Sequence, residues 1–227
     1  AARLSVLSAA DNASADEVNG WLTVAQVQVA LGWPTSDVTD SYQRAVSASV
    51  DVLPLEAYLS YAKLLLGAHN FESAIKIALQ CANVYPQASS AFLIAGVSFL
   101  RMERLTDAED CLQEANLLDN RNPEVWAFLS LLCLQIGDHR GEEGDKAIQQ
   151  AMRLKLSNHL LLREIALAYV AKDKLLIAED LIRRAASIEA DSSATQKASA
   201  FTRKVIADIL LAQNMAAEAV DAYQDII

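Results

Sequence analysis

Apolar residues recur three and four positions apart along most of this chain, the spacing of one face of an α-helix. One such series is Phe71, Ala74, Ile75, Ala78 and Cys81; another is Trp126, Leu129, Ser130 and Cys133. The pattern predicts short helices separated by turns such as Gly67–Asn70, with Pro86 closing one of them. Near the start, Ser14 and Glu17 stand three apart as a capping box does, reciprocally satisfying backbone donors at a helix N-terminus. The helix that follows carries Trp21, Val24, Val27 and Leu31 and is expected to end near Gly32–Pro34. A second runs from about Asp37 through Tyr42, Ala45, Val46 and Val50, stopping before Pro54.

A longer period lies over the helical one. Residues 55–88 and 89–122 align without a gap as two blocks of 34 residues. Each opens its first helix on an aromatic (Tyr58, Phe92), with a small residue four positions later (Ala62, Gly96). Small residues return in the second helix at Ala74 and Ala108, then at Cys81 and Ala115. A period of this length built from paired helices marks a repeat array, in which each hairpin buries its apolar stripe only by stacking on its neighbours. Close stacking needs small side chains where helices cross, because interiors are packed near crystal density.

The blocks predict an array over 55–227, divided at about 55–88, 89–122, 123–158, 159–199 and 200–227, and preceded by N-terminal helices over 1–54 that form a degenerate or capping repeat. In that first pair Tyr42 fills a slot held elsewhere by a small residue. Pro123 suits the first position of a helix, where its missing N–H is not needed. Thr106 and Glu109 form a second capping box, and Asn158 is a cap for the helix beginning at His159. The turn over 137–144 is about two residues longer than its counterparts, and Asp191–Ser199 breaks the period by about seven.

These residues resemble the tetratricopeptide repeat (TPR) family. The resemblance implies an all-α fold, a right-handed α-solenoid of stacked antiparallel helix hairpins. It also implies a concave face, lined by the first helix of each repeat, that binds peptides. The inward-facing positions of the family carry over to Glu56, Leu59, Lys63 and Leu66, then Leu93, Val97, Leu100 and Arg101. In the later blocks they are Glu124, Ala127, Leu131, Leu134 and Gln135, then Leu160, Arg163, Leu167 and Val170, and finally Phe201, Lys204 and Asp208. The middle of this set is apolar, and its expected occupant is an amphipathic helix or peptide. The competing reading is that the same residues are core. The Lys/Asn/Arg clamp by which chaperone-binding TPR domains hold a C-terminal carboxylate is not matched, since its positions hold Leu59, Leu93 and Ala127, with Lys63, Val97 and Leu131 beyond them.

Composition narrows the function classes. With 29 acidic against 19 basic residues the net charge is −10, which argues against nucleic acid and anionic membrane as partners. The longest nearly apolar run, Val125–Leu134, falls far short of a membrane span. Cys81, Cys111 and Cys133 lie far apart without metal-ligand spacing and read as buried thiols of a reducing compartment. His69, His139 and His159 fall at helix ends, without partners at catalytic or metal spacing. Phosphate-loop, GxSxG and HExxH patterns are absent, so the expectation is a non-enzymatic chain with no catalytic residues, metal or cofactor. Asp138, Glu142, Glu143 and Asp145 lack EF-hand spacing and read as a solvated turn, while Lys172, Lys174, Arg183 and Arg184 form a modest basic cluster beside Glu179 and Asp180. The chain opens Ala-Ala-Arg and ends at Ile227 inside a helical pattern, as a piece of a longer protein would.

Two segments carry a narrower resemblance: Asn122-Pro-Glu-Val-Trp-Ala-Phe-Leu-Ser-Leu-Leu-Cys-Leu134 and Leu162-Arg-Glu-Ile-Ala-Leu-Ala-Tyr-Val-Ala-Lys-Asp-Lys-Leu-Leu-Ile-Ala-Glu-Asp180. They are similar to the C-terminal TPR region of the cilia- and flagella-associated protein 70 family. That resemblance implies a cytoplasmic scaffold at the axoneme of motile cilia or flagella, with an axonemal or dynein-arm protein as partner. The alternatives are a cytosolic TPR adaptor or co-chaperone-like module, and a regulatory domain fused to a catalytic one.

Overall fold

A computed structural model describes residues 16–48, 53–192 and 198–226. Ser14 of the first capping box lies outside them, as do the apolar residues Leu4, Val6 and Leu7 and most of the spacer after Asp191. Every regular element among the described residues is a helix, and the helices pair as antiparallel hairpins. Contacts divide the chain into two compact units, Ala1–Leu118 and Asp119–Ile227.

The first unit holds α1 (Asp16–Ala30), α2 (Thr35–Ala48), α3 (Leu55–Gly67), α4 (Phe71–Val84), α5 (Ser89–Arg101) and α6 (Leu105–Leu118). Tyr42, too large for its slot, is accommodated by stacking on Tyr61 of α3 with ring centroids 5.1 Å apart and nearly parallel planes. Beneath the first hairpin the Ser41 hydroxyl donates to the Gln28 side chain at 2.8 Å, so two buried polar groups satisfy each other. The Tyr85 hydroxyl donates to the Leu53 carbonyl at 2.9 Å, fastening the end of α4 to the entry of α3. Asn70 caps α4 by accepting from the Ser73 N–H.

The second unit holds α7 (Pro123–Ile136), a single 3-10 turn at Asp138–Arg140, α8 (Gly141–Arg153), α9 (His159–Ala171), α10 (Leu175–Ser192), α11 (Ala200–Ala212) and α12 (Ala216–Gln224). Asn122 and Asn158 cap α7 and α9, and the Asn158 amide also reaches Glu124 at 2.9 Å, tying the two helix starts together. The long turn is shorter than its sequence reads, because the 3-10 turn absorbs three residues and α8 begins at Gly141. After α10, which runs 18 residues, the extra length lies partly in that helix and not in an early start of α11.

The expected box at Thr106 does not form. Arg104 is the residue before α6, its carbonyl accepts from Ala108, and its guanidinium pairs with Asp107 at 2.8 Å, which leaves Thr106 inside the helix. The cause is the turn before it. His69, Glu103, Asp173 and Asn214 all have φ between 56° and 62°, and each ends the first helix of a hairpin. In each the left-handed residue donates three positions back and its successor five back, the paired bonds of a Schellman motif. His69 and Glu103 fall 34 apart, so the turn repeats between the first two blocks, while Gly137, another 34 on, has φ 148° and donates four positions back to Cys133, a different turn at the same register. None but Gly137 is glycine, which is why the sequence does not announce them.

At Gly96 the two helices of the hairpin approach so closely that a Cβ would lie 2.8 Å from Leu112 Cγ and 2.9 Å from its Cδ2. Leu112 is fully buried and has nowhere to go. Gly144, on a second helix, mirrors this against the Cβ of Cys133 at 3.3 Å and the carbonyl of Ser130 at 3.4 Å. The Ser130 side chain itself lies against the Tyr169 hydroxyl instead, at 3.5 Å.

Gly96→Ala is expected to destabilise by about 1–2 kcal/mol, overpacking exceeding the gain in helix propensity. Glu103→Gly is expected to stabilise by about 0.5–1 kcal/mol by relieving the left-handed backbone. Urea unfolding midpoints of both variants check the two signs.

Candidate protein-contact face

The positions implied by the resemblance separate by burial. In the first unit α5 is buried from Leu93 to Leu100 on every face, so Leu93, Val97 and Leu100 are core there. Leu59 and Leu66 of α3 are half-buried, and Lys63 and Arg101 are exposed. In the second unit Ala127, Leu131 and Leu134 of α7 are buried. Beyond them the surface opens: Arg163 and Val170 are half-buried, and Leu167 and Lys204 are exposed.

That open part is built by two helices. On α9, Leu160, Arg163, Leu167 and Val170 fall three or four apart and form one stripe. On α11, Phe201, Lys204, Asp208 and Leu211 do the same. The opposite stripes are in the core, with Leu162, Ile165, Ala166 and Tyr169 buried on α9 and Thr202, Val205, Ala207, Ile209 and Leu210 on α11. α9 packs on α7 and α11 on α10, so the two outward stripes are held from behind. Arg163 joins them by laying its guanidinium over the Phe201 ring at 4.9 Å from the centroid. The solvent-facing apolar residues are large: Leu160, Leu167, Phe201 and Leu211 are 55%, 40%, 52% and 54% exposed. Leu160, Phe201 and Asp208 are among the positions the resemblance implies, whereas Leu211 was not expected although the same stripe contains it. Asp208 accepts from the Tyr223 hydroxyl, which raises that hydroxyl's pKa and leaves the carboxylate engaged.

The acidic turn and the basic cluster turn out to be each other's partners. Lys172 reaches Asp138 at 2.7 Å and Lys174 reaches Asp145 at 2.6 Å, strapping the α7–α8 turn to the α9–α10 turn. Lys172 also holds the Asp138 carboxyl below its usual range. Glu143 pairs with Arg140, and Glu179 with Arg183. Arg184 of the cluster and Glu142 of the turn lie outside these pairs, and among the described residues no group of three or more His, Cys, Asp or Glu side chains could hold a metal.

The richest polar cluster has a buried centre. Tyr169 and Ser130 are fully buried with hydroxyls 3.5 Å apart; burial raises the Tyr169 pKa and the neighbouring Asp145 adds to it. Lys174 lies over the same ring at 5.8 Å. This cluster joins α7, α8 and α9, and its Lys174–Asp145 pair is partly exposed. Cys81, Cys111 and Cys133 are in no disulfide, and burial together with Asp110 and Asp107 pushes the Cys111 thiol up to about 11. His69 and His139 are exposed and His159 half-buried, each at a turn or helix start. No described helix is long and apolar enough to cross a membrane.

Comparison with known proteins adds to this geometry. Residues 2–226 match the profile of the family described as the cilia and flagella-associated protein 70 C-terminal domain. The human cilia- and flagella-associated protein 70 is 37% identical over 131 residues, which is 57% of this chain and 11% of the human protein. The Macaca fascicularis protein is 38% identical over 125 residues, 55% of this chain and 12% of its own length. The chain therefore spans about a tenth of the curated relatives it matches. Among solved structures, the Cut9–Hcn1 hetero-tetramer of the APC/C superposes with a TM-score of 0.70 at 14% identity, over 92% of this chain and 40% of that one. At that identity the likeness carries the helical-repeat fold alone.

Burial makes a sharp contrast between two double variants. Leu93→Asp with Leu131→Asp places carboxylates in the core and is expected to unfold the chain, each costing several kcal/mol. Leu167→Asp with Phe201→Asp is expected to leave the helical circular-dichroism signal intact and the unfolding free energy from urea titration lowered by only about 1 kcal/mol.

Proposed function

The chain belongs to the cilia- and flagella-associated protein 70 C-terminal domain family, and on that premise we propose that it is a non-enzymatic scaffold binding a protein partner in the axoneme of motile cilia or flagella, near the outer dynein arms. The observation that carries this reading is the outward apolar stripe of α9 and α11, large enough to serve as an interaction surface and backed by rigid packed helices. Leu167, Arg163, Val170 and Lys204 are its working groups among the expected positions. The buried Ala127, Leu131 and Leu134 support it from α7, and Lys63 and Arg101, with Leu59 and Leu66, belong to the corresponding stripes of the first unit. Protein binding follows the general use of stacked helical repeats, which present extended surfaces instead of enclosed pockets. The ciliary setting rests on the names of the relatives.

The test is retention of proteins from detergent-solubilised axonemes on the immobilised chain, beside the Leu167→Asp, Phe201→Asp variant. Dynein-arm components held by the parent and released by the variant are the expected result. Retention of nothing by the parent removes the ciliary reading, and equal retention by both moves the contact to another surface.

A further inference from the structure

We infer that the α9–α11 face selects an acidic amphipathic helix, its apolar residues seated among Leu160, Leu167, Phe201 and Leu211 and its carboxylates on Arg163 and Lys204; this rests on the reading of that face as the docking surface. The chain carries −10 overall, yet the charges this surface leaves open are cations, because its two acids are already engaged: Asp208 accepts from Tyr223, and Glu164, half-buried beside Arg163, has a contact of its own. Among the described residues neither Arg163 nor Lys204 is ion-paired, whereas Arg104, Arg140, Lys172, Lys174 and Arg183 all are. Arg163 stacks its flat face on Phe201, which orients a guanidinium without using its N–H donors and leaves them for a carboxylate.

The geometry favours a helical ligand. Leu160 and Leu167 are seven residues apart on one helix face, a rise of about 10 Å. A ligand helix presenting apolar residues at i, i+4 and i+7 matches that rise, with acids on the flanks of its stripe. A second copy of this chain is disfavoured, since two such faces would set like charges against each other.

Two synthetic helical peptides with the same leucine stripe, one flanked by glutamate and one by lysine, discriminate by fluorescence anisotropy with the purified chain. The glutamate peptide is expected to bind at least about tenfold more tightly. Arg163→Glu with Lys204→Glu is expected to reverse that order, and Lys204→Glu alone, which leaves the Phe201 stack in place, to narrow it. Equal affinities, or preference for the lysine peptide, overturn the charge selection while the docking face stands. If Leu167→Asp with Phe201→Asp changes the binding of neither peptide, or neither peptide binds at all, the docking face itself is overturned.

Discussion

Close approach of helices is the condition on which the remaining structure depends. Leu112 fills the space a side chain on Gly96 would take, and Ser130 with Cys133 fills the space at Gly144. Ala62, Ala74, Ala108, Ala166, Ala178 and Ala207 are fully buried for the same reason. Where the partner is large, as Tyr42 is, a second aromatic lies flat against it. Each hairpin is shaped by what its neighbour leaves open, so a solenoid of this type tolerates compensated changes better than single ones.

The fold was largely legible before any coordinates. Spacing of apolar residues placed the helices from Leu55 onward, and the coincidence of slot and size between the blocks at 55–88 and 89–122 pointed to stacked hairpins. The turns were less legible, because left-handed positions are filled by His69, Glu103, Asp173 and Asn214, and a Schellman turn without glycine has no compositional mark. Thr106 was misread for the same reason: the turn at Glu103 starts α6 two residues sooner than a Thr106 cap would. Long-range pairings such as Lys172 with Asp138 lie 34 residues apart and join two turns that sequence reasoning treats separately.

The binding face shows the limit of transferred position rules. They assume that every first helix turns its second, fifth, ninth and later residues to solvent. α9 and α11 do so, but α5 is enclosed from Leu93 to Leu100, and Leu131 and Leu134 of α7 are enclosed too. An apolar side chain in such a stripe reads the same whether it meets a ligand or the rest of the chain. What distinguishes the open stripes is the cations among them, Arg163 and Lys204, set between leucines and a phenylalanine. Arg104, Arg140, Lys172, Lys174 and Arg183 are instead taken up by carboxylates and serve as fastening.

The turns at His69, Glu103 and Gly137 are spaced by 34 residues, and in that stretch every first helix is 13 or 14 residues long. An unequal crossover between the coding sequences of neighbouring blocks would therefore add or delete one whole hairpin without breaking a turn. Over this part of the gene, recombination can lengthen or shorten the array in units that already fold. Downstream, where α10 is longer and α12 has nine residues, the same event would cut across mismatched elements. The half of the molecule that bears the exposed face is thus the half least free to vary by duplication, and its evolution is left to point substitution.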